Sequence, residues 1–186
     1  MKIQDIQSEV VREVVSEQEI DNKLGEIAKL IEKDYEGKDL LLVGVLKGAV
    51  MCMADLSRHL SRHLEMDWMA VSTYGHGTTS TGVVRILKDL DTDIENRHVL
   101  IVEDILDSGL TLSWLKNNLS TRGPASVEIF TLLRKPDALK IHVEPKYVGF
   151  DIPNEFVIGY GLDYAEKYRN LRSIATLHPD VYTQKS

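Results

Sequence analysis

Residues 98–112 read HVLIVEDILDSGLTL, and the rest of the 186-residue chain is understood from this stretch. It opens on Val99-Leu100-Ile101-Val102, an apolar, β-branched run that suits a strand buried on both faces. Glu103 and Asp104 follow directly, then Asp107. Ser108, Gly109 and Thr111 come next, and Leu112, Leu115 and Leu119 continue as a helical stripe. A strand that ends in acids, turns through glycine and small hydroxyls and enters a helix is built for a phosphorylated, polyhydroxylated ligand. Carboxylates accept hydrogen bonds from sugar hydroxyls or hold a divalent cation, and the N–H groups of the turn and helix start can cradle a phosphate. An ordinary strand–helix loop would use Asp and Ser only as caps. Capping does not account for two consecutive acids at the end of an apolar strand.

Composition bounds the reading. A chain of 186 residues fits one domain, long enough to bury roughly 70% of its unfolded surface around one core. With 43% hydrophobic and 27% charged residues it has the make-up of a soluble globular protein. A net charge of −7 argues against nonspecific nucleic-acid binding, which needs a broad basic surface. The lone Cys52 cannot form an internal disulfide, the N-terminus lacks the apolar run of a signal peptide, and no stretch is long enough to span a bilayer. A cytoplasmic protein with no membrane partner is expected.

Working outward, residues 1–16 are expected to lead in as an extended segment whose Val10, Val11, Val14 and Val15 can pack on the core. Ser16-Glu17-Gln18-Glu19 has the form of a capping box, and Ile20, Leu24, Ile27 and Ile31 fall on one helical face. Residues 40–45 read as a buried strand, Lys47-Gly48 as a turn, and Met53, Leu56, Leu60 and Leu64 as the stripe of a second helix. Strand character recurs at 68–74, 83–87, 126–133, 147–150 and 156–158. Between the first two of these lies GHGTTSTG (75–82), either a hairpin tip or a mobile lid. Strands alternating with helices predict an α/β fold, a mainly parallel sheet with helices on both faces. In such sheets ligands bind outside the carboxyl ends of the strands. Here those ends are Lys47-Gly48, Tyr74-Gly75, Glu103-Asp104, Arg134-Lys135 and the region around Asp163.

The central stretch resembles the signature of the type I phosphoribosyltransferases, in the form VEDILDSGLTL found in their hypoxanthine-guanine branch. Three further stretches match in order: VGVLKGA (43–49), LLRKPD (132–137) and FVIGYGLDYAEKYRNL (156–171). The likeness thus spans nearly the whole chain as a single phosphoribosyltransferase domain, 1–186, and implies a small hood built from N- and C-terminal segments. It implies that Glu103 and Asp104 hold the ribose hydroxyls, directly or through Mg²⁺, with Asp107 beside the purine as general base or acid. Ser108, Gly109, Leu110 and Thr111 would wrap the 5′-phosphate. Leu46, Lys47 and Gly48 would form the pyrophosphate loop, with a cis peptide between the first two, and Arg169 would add a second pyrophosphate contact. Lys135 would donate to O6 of a 6-oxopurine, Phe156 would stack on the base, and the Val157 backbone would read its edge. Asp163 matches a purine-side residue and a second Mg²⁺ position. Thr73-Tyr74 stands where the family has Ser-Tyr at the start of a lid, which favours the lid reading of 75–82.

The resemblance implies purine salvage: transfer of a phosphoribosyl group from 5-phosphoribosyl 1-pyrophosphate to hypoxanthine or guanine, by a homodimer or homotetramer. A regulator that binds the same ligand without catalysis is the alternative from another class, and a xanthine preference is a nearer one. Two other signals carry less. His59 and His63, four apart on the expected second helix, lack a third metal ligand and read as a solvated face. Cys52 reads as a packed thiol.

Overall fold

The architecture comes from a computed structural model, which describes residues 1–73 and 84–183. In place of a plain extended lead-in, the chain begins with a 3-10 turn over Ile3–Ile6 and a strand, β1 (Val10–Val15). Val15 is buried in the core, whereas Val11 faces solvent. Ser16 then caps helix α1 (Glu17–Asp34). Its hydroxyl accepts the Glu19 N–H at 3.3 Å while the Glu19 carboxylate accepts the Ser16 N–H at 2.8 Å. Such a reciprocal cap stabilises a helix start by about 1 kcal/mol. Next come β2 (Leu40–Leu46), α2 (Val50–His59), β3 (Glu65–Thr73) and β4 (Val84–Lys88). They are followed by β5 (His98–Leu106), α3 (Leu110–Ser120), β6 (Ser126–Arg134) and β7 (Tyr147–Asp151). Two short strands, β8 (Val157–Ile158) and β9 (Ile174–Leu177), and helix α4 (Pro179–Thr183) complete the described chain.

Six strands form one sheet in the order β4-β3-β2-β5-β6-β7. All neighbours pair in parallel except β3 and β4, which are antiparallel. Because side chains alternate across a strand, the apolar runs feed two cores. Leu40, Leu42, Leu100, Val102 and Phe130 point toward α1 and α2, joining Leu24, Ile31, Met53 and Leu56. Leu41, Val43, Val99, Ile101 and Ile129 point the other way, against Leu112, Leu115 and Leu119 of α3. Helices therefore cover both faces, as the doubly apolar strands require.

The chain leaves β2 toward β3 on one side and returns with β5 on the other. This reversal of direction opens a crevice at the carboxyl ends of β2 and β5, the position where such sheets bind ligands. Above it sits the hood, a three-stranded sheet in the order β1-β9-β8 that joins the two ends of the chain. Its own small core contains Ile6, Ile158, Leu171, Ala175 and Leu177.

Two expectations need correcting. The second helix ends at His59, so Leu60 and Leu64 lie beyond it and His63 shares no helix face with His59. The cause is tertiary: the Ser61 N–H donates to Glu32 at 2.5 Å, and Arg62 donates to the carbonyls of Tyr35 and Lys38, drawing the chain onto the end of α1. His59 instead meets Asp21 at 2.9 Å. The expected strands also stop at 158, whereas the tail beyond Asp163 supplies β9, the middle strand of the hood.

Candidate active site

β5 runs past its apolar segment and carries both acids within the strand, with Glu103 in register with Thr131 of β6. Glu103 and Asp104 are both buried. Burial, reinforced by the charge of Asp104, holds the Glu103 carboxyl well above the usual range. Burial also raises Asp104, although the Glu103 hydrogen bond, the Ile105 N–H and the nearby Arg169 pull it back. A buried pair of acids that resists double ionisation gains from any cation that enters the crevice.

The turn after β2 presses directly on this pair. A Cβ added at Gly48 would stand 1.8 Å from Asp104 Oδ2, so only glycine fits. The Leu46–Lys47 peptide is cis, as the resemblance implied. On the far side of the turn lies the hood loop: Gly161 (φ 103°) approaches so closely that an added Cβ would be 1.9 Å from the Gly48 carbonyl oxygen. Tyr160, beside it, donates its hydroxyl to Asp55 of α2 at 2.6 Å and so ties the hood to the helix that follows the Leu46–Gly48 turn. The sequence reading did not single out Tyr160, for no local pattern marks it.

After β5 the chain turns through Gly109 (φ 81°) into α3. The left-handed conformation favours glycine, and an added Cβ would also strike the Ile141 carbonyl oxygen at 2.6 Å. Ser108, Gly109 and Thr111 line a recess of about 240 Å³ that also touches Glu103, Asp104 and Asp107. The Leu110 N–H opens α3 and points to the Ser108 hydroxyl at 3.5 Å. Backbone donors at a helix start beside small hydroxyls suit a phosphate.

A neighbouring cavity of about 300 Å³ gathers the remaining motifs: Leu46 and Gly48, the three acids of the central stretch, Lys135, Phe156 with Val157, and Asp163 with Arg169. Lys135 follows β6 and is buried, yet its Nζ reaches Asp107 Oδ2 at 3.1 Å. Phe156 is half exposed and meets the Tyr164 ring edge-on at 6.0 Å between centroids. Val157 is buried at the start of β8. Arg169 donates to the Gly161 carbonyl at 2.8 Å and pairs with Asp163 at 2.8 Å and Glu166 at 3.3 Å. Its Nε is buried without a hydrogen-bond partner among the described residues, a donor suited to an incoming anion. Lys47 pairs with Glu166 at 3.0 Å. Glu166 was not expected here: it sits in a charged turn with no periodicity to mark it.

Thr73 is the last residue of β3, whereas Tyr74 and the 75–82 tract lie outside the described residues. Among the described residues no three Asp, Glu, His or Cys side chains gather into a metal site. Glu103-Asp104 and Asp163 are instead separate carboxylate positions around one cavity. No helix among the described residues is long and apolar enough to cross a membrane.

A family model described as a phosphoribosyl transferase domain matches residues 11–165. The hypoxanthine-guanine phosphoribosyltransferase of Mycobacterium avium is 55% identical over 177 residues, covering 92% of this chain and 87% of that protein. The protein of the same name from Streptococcus mutans is 48% identical over 179 residues, covering 96% and 99% of the two. A crystal structure of a hypoxanthine phosphoribosyltransferase from Staphylococcus aureus superposes with a TM-score of 0.93 at 49% identity, covering 96% of this chain and 97% of that one. The fold and the crevice at its reversal point are thus those of a phosphoribosyltransferase. Within that class, the chain belongs to the hypoxanthine-guanine phosphoribosyltransferase family.

Proposed function

We propose that the chain transfers the phosphoribosyl group of 5-phosphoribosyl 1-pyrophosphate to N9 of hypoxanthine or guanine, releasing pyrophosphate and giving IMP or GMP. One observation carries the reading: a single cavity of about 300 Å³ collects a pyrophosphate-loop glycine, the buried acids, the Lys135–Asp107 pair and the Phe156 ring from four separate stretches. Glu103 and Asp104 orient the ribose through its hydroxyls, and Ser108, Gly109, Leu110 and Thr111 hold the 5′-phosphate. As the C1–oxygen bond to pyrophosphate breaks, Lys47 and Arg169 take up the charge of the leaving group. N9 bonds to C1, and Asp107 accepts the proton that the purine sheds. Lys135 donates to O6. Adenine presents an amino donor at that position, so the pocket discriminates against it. Phe156 stacks on the base and Val157 reads its edge through the backbone.

Mg²⁺ fits this donor set. It is a hard cation that is bound through one or two carboxylates plus substrate oxygens rather than in an all-protein cage. Glu103 with Asp104 would hold one ion and Asp163 a second. When bound, the metal supplies Lewis-acid charge to the diphosphate. The whole chain acts as a single domain, 1–186, in a homodimer or homotetramer of the cytoplasm.

The test supplies the phosphoribosyl donor and Mg²⁺ with hypoxanthine, guanine, xanthine and adenine in separate reactions and follows nucleotide formation. Turnover with the first two is expected. Failure with every base, alongside intact donor binding, would point instead to a ligand-binding regulator. In the Asp107→Asn variant turnover should collapse while donor binding stays. The reverse outcome would remove Asp107 from proton transfer.

A further inference from the structure

The hood's last turn carries a carboxylate that the reaction as described does not use. Glu166 Oε2 lies 3.0 Å from Lys47 Nζ, and its Oε1 lies 3.3 Å from Arg169 Nη2. Lys47 follows β2 and Arg169 lies between β8 and β9, and they share one assignment, the leaving pyrophosphate. A single side chain therefore engages both of the cations that the diphosphate needs. Lys47, and more weakly Arg169, hold the Glu166 carboxyl below its usual range, so it is anionic at neutral pH.

The turn that aims this side chain is an unusual one. Ala165, Glu166 and Tyr168 all have positive φ, at 51°, 62° and 72°, a region that residues with a Cβ seldom adopt. Local bonds enforce it. The Glu166 N–H donates to Asp163 Oδ2 at 2.9 Å, and Tyr164 and Lys167 exchange backbone hydrogen bonds at 3.0 and 3.2 Å. The carboxylate is thus directed at the two cations by its backbone, yet its side chain is 65% exposed and can swing into water. Asp163, whose side chain is 29% exposed, keeps its own 2.8 Å contact with Arg169, so the guanidinium stays oriented when Glu166 departs.

We propose that Glu166 is an internal stand-in for pyrophosphate. It neutralises Lys47 and Arg169 in the empty site, yields to the diphosphate of the donor, and returns as the product leaves. The inference rests on the assignment of those two cations to pyrophosphate in the proposed reaction. Its consequence is a site that binds donor and product less tightly than its cations allow, and that releases pyrophosphate faster.

The substitution Glu166→Gln keeps the shape and removes the charge. Titration calorimetry with inorganic pyrophosphate and Mg²⁺ should show binding tightened about two- to five-fold, the range an exposed ion pair can set. KM for the donor should fall in parallel, with KM for the purine unchanged. In a Lys47→Met background the same substitution should lose most of its effect, which a merely structural role for Glu166 would not predict. Unchanged or weaker pyrophosphate binding by Glu166→Gln, in a protein whose parent binds pyrophosphate and donor, overturns the stand-in and leaves the phosphoribosyltransferase reading intact. A parent that binds neither ligand overturns both.

Discussion

Replacing Gly48 by alanine tests how closely the turn proposed to hold pyrophosphate is fitted to the acids proposed to hold the sugar. The new Cβ would stand 1.8 Å from Asp104 Oδ2 and 2.6 Å from its Cγ. Non-bonded heavy atoms settle about 3.5 Å apart, so loop or carboxylate must retreat by roughly 1.5 Å. Neither moves without disturbing the site. Asp104 Oδ1 accepts the Ile105 N–H at 2.8 Å, and the Gly48 carbonyl is backed by Gly161. Gly48 itself is outside the left-handed region, so alanine strains no backbone torsion there. The fold should survive while the reacting groups are displaced. A misplacement of about 1 Å is enough to lower the rate on the order of 100-fold, or about 2.7 kcal/mol of barrier. We expect kcat/KM for IMP formation to fall at least that far, with a melting temperature close to the parent's. Activity within about three-fold of the parent at unchanged stability would refute the argument.

Three further outcomes follow from the same geometry. Lys135→Met keeps roughly the length of the side chain and removes the proposed donor to O6 together with the 3.1 Å contact to the half-exposed Asp107 carboxylate; kcat/KM for hypoxanthine should drop about 10- to 100-fold, and an unchanged value would exclude Lys135 from the base pocket. Asp67 is buried, which raises its pKa, but the N–H groups of Trp68, Thr92 and Asp91 outweigh that and leave it lowered. A depressed carboxyl stabilises the fold above its unfolded pKa of about 4 and loses that contribution as pH falls through the folded value. Asp67→Asn should therefore cost about 1–3 kcal/mol in denaturant melts at pH 7, and the gap to the parent should close toward pH 3; a gap that does not change with pH would show that charge plays no part. Burial pushes the Cys52 thiol up, so the native protein should resist a thiol-specific disulfide reagent at pH 8 while the denatured chain reacts at once.

The parts of this molecule that the sequence displays are those in which local pattern and tertiary role coincide. Val99 to Val102 are apolar on both faces because α2 and α3 pack from opposite sides. Ser16 and Glu19 make their cap within four residues. The four motifs were legible because each keeps its chemistry in a short stretch. What was hidden depends on contacts distant in sequence. The end of α2 at His59 is set by bonds from Ser61 and Arg62 to α1 and the turn after it. Residues 174–177 become a strand because β1 and β8, both distant in sequence, pair with them on either side. The left-handed residues at 165, 166 and 168 carry ordinary side chains, and composition gives no sign of the turn that they make.

The hood also imposes an order on synthesis. β9 is the middle strand of its sheet, so β1 waits with no partner in that sheet until residues 174–177 appear, and β8 has none without them. Val15 finally pairs with Ile174, a long loop closure of the kind that forms late. The six-stranded sheet, with its acids and its phosphate recess, needs none of these residues for its pairing. A growing chain can therefore hold the groups proposed to bind the sugar before it holds a finished seat for the proposed base. The hood is complete only once β9 has paired with both of its neighbours. Until then the Val157 wall of the proposed base pocket lacks the strand that backs it, so a change around Ile174 should disturb the proposed base side of the site before the carboxyl end of β5.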